Sequence, residues 1–131
     1  MIIKIEPRRE EEQVSGPHLR YAIIGAGGTI AATHLQALAQ FRGAEVVGLA
    51  DINPQVASKR AEEVGCPFFS EHQVMLKEVQ PDVVVVCTPH PSHKNLVIDA
   101  LNTGAHVLVE KPMTVEVADA DAIIAAADAR P

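Results

Sequence analysis

The chain has 131 residues, the size of one domain, and 47% of them are hydrophobic, enough for one core. Aromatics are only 3% and Trp is absent, so Val, Ile, Leu and Ala must fill that core, a composition that suits a parallel sheet packed between helices. A net charge of −6 with scattered Lys and Arg argues against nucleic acid, two cysteines are too few for a disulfide scaffold, and no apolar run reaches membrane-spanning length.

Residues 1–18 read as an extension or linker, and residues 19–131 as one domain. Met1–Ile5 is a short apolar run that could add a strand, Glu6–Gln13 is charged and interrupted by Pro7, and Ser15-Gly16-Pro17 breaks the chain. No signal-peptide core is visible, so a reducing, cytoplasmic setting is the expectation, with Cys66 and Cys87 as free thiols.

From Leu19 the pattern becomes regular. Tyr21–Ile24 is a short apolar strand running into Gly25-Ala26-Gly27-Gly28, and helical spacing follows from Thr29 to Phe41, ended by Gly43. Glu45–Ala50 is a second strand closing on Asp51. Asn53-Pro54 is an N-cap followed by Pro at the first helical position, opening a helix to Val64 that stops at Gly65. Pro67–Phe69 is a minimal third strand, and Ser70 with Gln73 resembles a capping box for a helix to Val79. Asp82–Cys87 holds four consecutive valines, a strand buried on both faces. A helix from Ser92 to Asn102 ends at Gly104, His106–Val109 is a fifth strand, and Thr114 is placed to cap a last helix over 115–129. Strand and helix thus alternate five times, which predicts an α/β doubly wound parallel sheet, a Rossmann arrangement with strand order 3-2-1-4-5.

The glycine turn between the first strand and helix is the setting a dinucleotide needs. Glycine allows the sharp turn and lets a pyrophosphate reach the backbone amides, and the helix N-terminus at Thr29 and Ile30 faces the phosphate charge. The spacing admits two readings. Counted from Gly25, the third glycine position falls on Ile30; counted from Ala26, the set is Ala26, Gly28 and Ala31, as in a loop longer by one residue. A tight turn without ligand is the competing explanation.

Asp51 ends the second strand, 26 residues after Gly25, where a carboxylate accepts hydrogen bonds from the adenosine ribose and repels a 2′-phosphate. NAD is therefore favoured over NADP. No Arg follows immediately; Lys59 and Arg60 come a helical turn or two later. An Asp at a strand end is alternatively a turn or cap residue, but Asn53 is the better cap.

Cys87-Thr88-Pro89-His90-Pro91-Ser92-His93 follows the fourth strand, at the carboxyl edge where ligands bind in open α/β sheets. Two histidines three apart, without a Cys or carboxylate partner of metal-site spacing, do not predict a metal, and His93 is expected to line the nicotinamide side. Glu110-Lys111-Pro112 follows the fifth strand. Adjacent strand residues point to opposite faces, so Glu110 and Lys111 cannot serve one surface. A lysine in a partly dry cleft can hold or move a proton; a solvated lysine is the equal alternative.

Ile24–Gly28 with His34, Asp51, the Thr-Pro to His93 stretch, and Gly104–Pro112 together resemble the glucose–fructose oxidoreductase / inositol dehydrogenase / MocA family, over about Leu19 to Arg130. The Glu-Lys-Pro after an apolar strand, with the Thr-Pro-x-x-x-His element, carries more of that resemblance than the glycine turn does. It implies an NAD-binding domain of an oxidoreductase acting on a sugar, polyol or related CH–OH substrate, with Lys111 touching nicotinamide and substrate as the catalytic residue. The cofactor would be held by Gly25, Gly27, Gly28, Thr29, Ile30, Asp51, Thr88, Pro89, His93, Glu110 and Lys111. Members of the family continue into a sixth strand and a substrate domain that nothing here matches, so turnover by this chain alone is expected to be weak or absent, and the exposed fifth strand is expected to seek a partner, a further chain segment or a second copy. A non-catalytic dinucleotide-binding or dimerisation module is the alternative.

Overall fold

A computed structural model describes residues 16–130; the expected strand at Met1–Ile5 lies outside them. Five strands form one parallel sheet: β1 (Leu19–Ile24), β2 (Ala44–Ala50), β3 (Phe68–Phe69), β4 (Val83–Val86) and β5 (His106–Val109). Their order is β3-β2-β1-β4-β5, as the alternation of elements predicts. The helices are α1 (Thr29–Ala39), α2 (Pro54–Val64), α3 (His72–Val79), α4 (His93–Asn102) and α5 (Val117–Asp128).

Alternation along each strand sorts the core into two layers. Ile23, Leu49 and Val85 pack with Ala31 and Leu35 of α1 and Ala57 and Ala61 of α2. Ala22, Ile24, Val84 and Val86 pack with Met75 and Leu76 of α3, Val97, Ala100 and Leu101 of α4 and Ile123 of α5. Val84, Val85 and Val86 of β4 are therefore buried, on alternating faces, which is what an apolar run without alternation requires.

Local signals set most boundaries. Asn53 caps α2 through its side chain, accepting from the Gln55 amide at 3.1 Å, and Gly65 closes that helix in the left-handed conformation at φ 82°. Two expected caps do not form. Helix α3 starts at His72 with Glu71 as N-cap and no side-chain capping bond, so Ser70 and Gln73 are not a capping box. Gln73 instead donates to Asp99 of α4 at 3.1 Å, a tertiary bond that competes with the local one. Likewise α5 starts at Val117, and the Thr114 hydroxyl donates to the Glu116 carbonyl at 3.0 Å rather than accepting from a helix amide.

Candidate cofactor site

The sheet order reverses direction between β1 and β4, and the loops leaving their carboxyl ends meet there. A cavity of about 540 Å³ opens at this point, lined among others by Gly25, Gly28, Asp51, Ile52, Thr88 and Pro89. A second hollow, about 850 Å³, lies at the opposite edge of the sheet against Leu19, Asp82 and His106, away from the glycine turn. Open α/β sheets bind ligands beyond the carboxyl ends of their strands, so the first is the candidate.

Gly25 carries the turn. Its φ is +83°, and a Cβ there would stand 2.7 Å from the Thr88 nitrogen and 2.8 Å from the Cys87 carbonyl carbon. Glycine is thus demanded twice, by conformation and by the contact between the two loops. Gly27 is glycine for another reason. Its amide donates to Asp51 Oδ2 at 2.8 Å, and a Cβ would lie 3.0 Å from that oxygen. The other Asp51 oxygen accepts from the Asn53 amide at 2.8 Å. Asp51 is therefore aimed by the glycine loop on one side and the start of α2 on the other, and each oxygen keeps acceptor capacity for a hydroxyl.

Helix α1 opens at Thr29, directly after Gly28. The amides of its first turn, those of Thr29 and Ile30 included, have no carbonyl within the helix to donate to, and they carry the positive end of its dipole. Ala31, not Ile30, is the small residue packed under the sheet: Ala31 is fully buried and Ile30 is 40% exposed. The reading counted from Ala26, with a longer loop, is the one realised. Arg60 of α2 supports that loop from behind, its Nη1 donating to the Ala26 carbonyl at 2.7 Å and the Gly28 carbonyl at 2.6 Å. With these carbonyls drawn toward the guanidinium, the loop is fixed without using its helix-start amides.

On the β4 side, Ser92 Oγ donates to the Pro89 carbonyl at 2.7 Å and stands 2.7 Å from Thr88 Oγ1, so the Thr88-Pro89 wall is braced from the start of α4. His93 departs from its expected place lining the cavity. It is 1% exposed, with Nδ1 2.9 Å from the Pro112 carbonyl and Nε2 2.8 Å from the Thr88 carbonyl, and it joins two loops beneath the site. Glu110 also faces away: it accepts from His34 Nε2 of α1 at 2.7 Å. Lys111 is exposed at the surface beside it, its amide donating to Glu110 Oε2 at 3.3 Å. Both residues lie past Val109, the last residue of β5, so strand alternation does not govern their directions.

The bond from His34, above all, holds the Glu110 carboxyl below the usual carboxylate range; burial opposes it, and the Lys111 amide adds to the lowering. A depressed carboxyl contributes stability at pH above its unfolded value and loses it as pH falls through the folded one. The melting temperature of the wild type is therefore expected to fall toward that of Glu110→Gln as pH drops from about 5 to about 3. A gap between the two proteins that stayed constant over that range would contradict the pairing.

Cys87, at the end of β4, is the one cysteine near the cavity. Burial pushes its thiol up to about 12, and the charge of Glu110 adds to the rise; burial also raises Cys66. Reactive cysteines need the thiolate. Both thiols should resist alkylation at about pH 8 in the folded chain and react after denaturation, and rapid labelling of Cys87 without denaturant would contradict this.

Sequence reasoning did not single out Ile52, Ser70, His72, Pro91 or Leu96 as part of the cavity wall. Ile52 had a signal, an apolar residue directly after the acid that ends β2, and it is 95% exposed. Among the described residues no group of three or more His, Cys, Asp or Glu could hold a metal ion, and no helix is long and apolar enough to cross a membrane.

Comparison with known proteins agrees with this geometry. Residues 19–131 match the family described as the oxidoreductase family with an NAD-binding Rossmann fold, Gfo/Idh/MocA. The chain is 33% identical over 109 residues to glycosyl hydrolase family 109 protein 1 of Akkermansia muciniphila, covering 76% of this chain and 22% of that protein. It is 39% identical over 95 residues to D-glucoside 3-dehydrogenase of Escherichia coli, covering 72% and 27%. Among solved structures it is similar to the WlbA dehydrogenase of Bordetella pertussis in complex with NADH and UDP-GlcNAcA, at a TM-score of 0.80 and 30% identity, over 88% of this chain and 35% of that one. The chain thus spans between a fifth and about a third of the length of these relatives. It belongs to the Gfo/Idh/MocA oxidoreductase family and comprises the NAD-binding Rossmann domain of that family.

Proposed function

We propose that this chain is the cofactor-binding part of a cytoplasmic dehydrogenase acting on a sugar, polyol or related CH–OH substrate, and that it prefers NAD to NADP. The observation that carries the reading is Asp51, a carboxylate ending β2 at the cavity and aimed by two backbone amides. Its oxygens accept from the adenosine ribose hydroxyls, and its charge repels a 2′-phosphate. The Thr29 and Ile30 amides face the pyrophosphate, with Gly25 and Gly28 letting it approach. Thr88 and Pro89 form the opposite wall.

Bound NAD supplies the hydride acceptor. Lys111, beyond the β5 end of the site, holds or releases the proton of the substrate hydroxyl, and further chain segments or a second chain complete the substrate pocket. The outer edge of β5, with Leu108 half-exposed, is where such a segment or a second copy pairs.

Calorimetry of the chain with NAD and with NADP is the test. NAD binding with NADP at least about tenfold weaker is expected from one uncompensated charge repulsion. Equal or tighter NADP binding would overturn the role of Asp51, and binding of neither would overturn the reading itself.

A further inference from the structure

His93, the first residue of α4, is the only buried polar or charged residue among the described residues. Its ring lies between two loops that follow different strands. Nε2 is 2.8 Å from the Thr88 carbonyl, after β4, and Nδ1 is 2.9 Å from the Pro112 carbonyl and 3.2 Å from that of Met113, after β5. Whichever nitrogen carries the proton, the ring donates to one of these loops, and in the doubly protonated form to both. On the other side of Lys111, the Glu110 carboxylate is bonded to His34, five residues into the helix whose first amides face the phosphates. The residues on either side of Lys111 are thus held by histidines of α4 and α1, the two helices that open at the walls of the cavity.

We propose that His93 and the His34–Glu110 pair are positioning residues for Lys111: they set the backbone of Glu110–Met113 against the Thr88 wall and against α1, and so place the lysine at the nicotinamide end of the site. The lysine itself is exposed and its charge acts on the neighbouring Glu110 carboxylate, so its location follows from that carboxylate and from the backbone on either side. An exposed four-carbon side chain keeps its rotamer freedom, so fixing the backbone that carries it is what limits the region its amine can reach. The contact from His34 further links the phosphate end of the site to the lysine end through a single helix.

This inference rests on the NAD reading above, and two measurements on the whole chain separate them. The first needs no ligand: hydrogen exchange of residues 110–115 in His93→Asn, with β4 as internal reference. Exchange in 110–115 is expected to rise about tenfold while β4 is unchanged. The second compares calorimetric affinities for NAD and for ADP-ribose, which lacks the nicotinamide. His93→Asn should weaken NAD about tenfold and ADP-ribose less than twofold, because the Asp51 carboxylate and the α1 amides that face adenosine and phosphates are not bonded to His93 and the Thr88-Pro89 wall keeps its brace from Ser92. A purely structural histidine would weaken both alike.

Because His93 is buried, His34→Gln provides a variant at a site that is a quarter exposed, with the same pattern expected at about threefold. Unchanged exchange in 110–115 in either folded variant, or parallel loss of NAD and ADP-ribose, would overturn the positioning role. If the wild type binds neither nucleotide, the NAD reading fails while the exchange experiment still decides the clamp.

Discussion

Gly25→Ala is expected to lower the melting temperature by on the order of 10 °C and to remove detectable NAD binding. Two costs add. A non-glycine residue in the left-handed region costs about 1–2 kcal/mol. The new methyl would also stand 2.7–2.8 Å from the Thr88 nitrogen, the Thr88 Cγ2 and the Cys87 carbonyl carbon, and two of those three atoms are backbone. Relieving that overlap means separating the β1 and β4 loops, at about 1–3 kcal/mol by analogy with overpacked cores. The sum is a large fraction of the roughly 5–15 kcal/mol that holds a domain together. It falls where the two walls of the cavity meet, so whatever fold survives has the walls displaced. A variant with wild-type stability and affinity, measured by thermal melting and calorimetry, would show that the loops do not touch as described.

Among changes that leave the loop backbone in place, Asp51→Ala is expected to have the largest effect on affinity. Two amides, those of Gly27 and Asn53, lose their acceptor, and each orphaned donor costs about 1–3 kcal/mol where water cannot replace the carboxylate. The ribose hydroxyls lose theirs as well. Hydrogen bonds to charged groups contribute about 1.5–3 kcal/mol each, so two of them correspond to a loss of NAD affinity on the order of a hundredfold or more. Asp51→Asn separates the contributions: one oxygen remains for the Gly27 amide, but the charge that rejects a 2′-phosphate is gone. The preference for NAD over NADP should shrink in that variant even where its melting temperature stays near wild type. An Asp51→Ala chain that bound NAD as the wild type does would show that the carboxylate serves only the loop.

Much of this fold was legible because each strand announced itself by composition. Four consecutive valines bounded by Pro81-Asp82 and Thr88-Pro89 leave only a strand buried on both faces, and β4 is that strand. Asn53-Pro54 and Gly65 marked both ends of α2, because caps act through neighbours in sequence. The glycine turn and Asp51 were legible for a related reason: the turn is local, and the acid ends a strand whose register with β1 brings Ala50 beside Ile24.

What the sequence withheld were partnerships across long separations. Glu110 and His34 are 76 residues apart and Arg60 and Ala26 34 apart, and nothing in the chain near Glu110 indicates that its carboxylate turns to α1. His93 was misplaced for the same reason. A histidine in the first turn of a helix at a sheet edge has no local sign that β5's exit loop will cover it. The two caps that failed, at Ser70 and Thr114, are cases where a tertiary or turn bond took the side chain that local pattern assigned to a helix end.

The central claim, a dinucleotide site at the β1–β4 switch point, is tested most directly by following backbone amide resonances of the chain during titration with NAD. The amides of Gly25, Gly28, Thr29, Ile30, Asp51 and Thr88 should shift together and saturate with one dissociation constant, while Leu19, Gln80 and His106 at the opposite edge of the sheet stay still. Shifts confined to that opposite edge, or no shifts at the glycine turn with saturating NAD, would contradict the account.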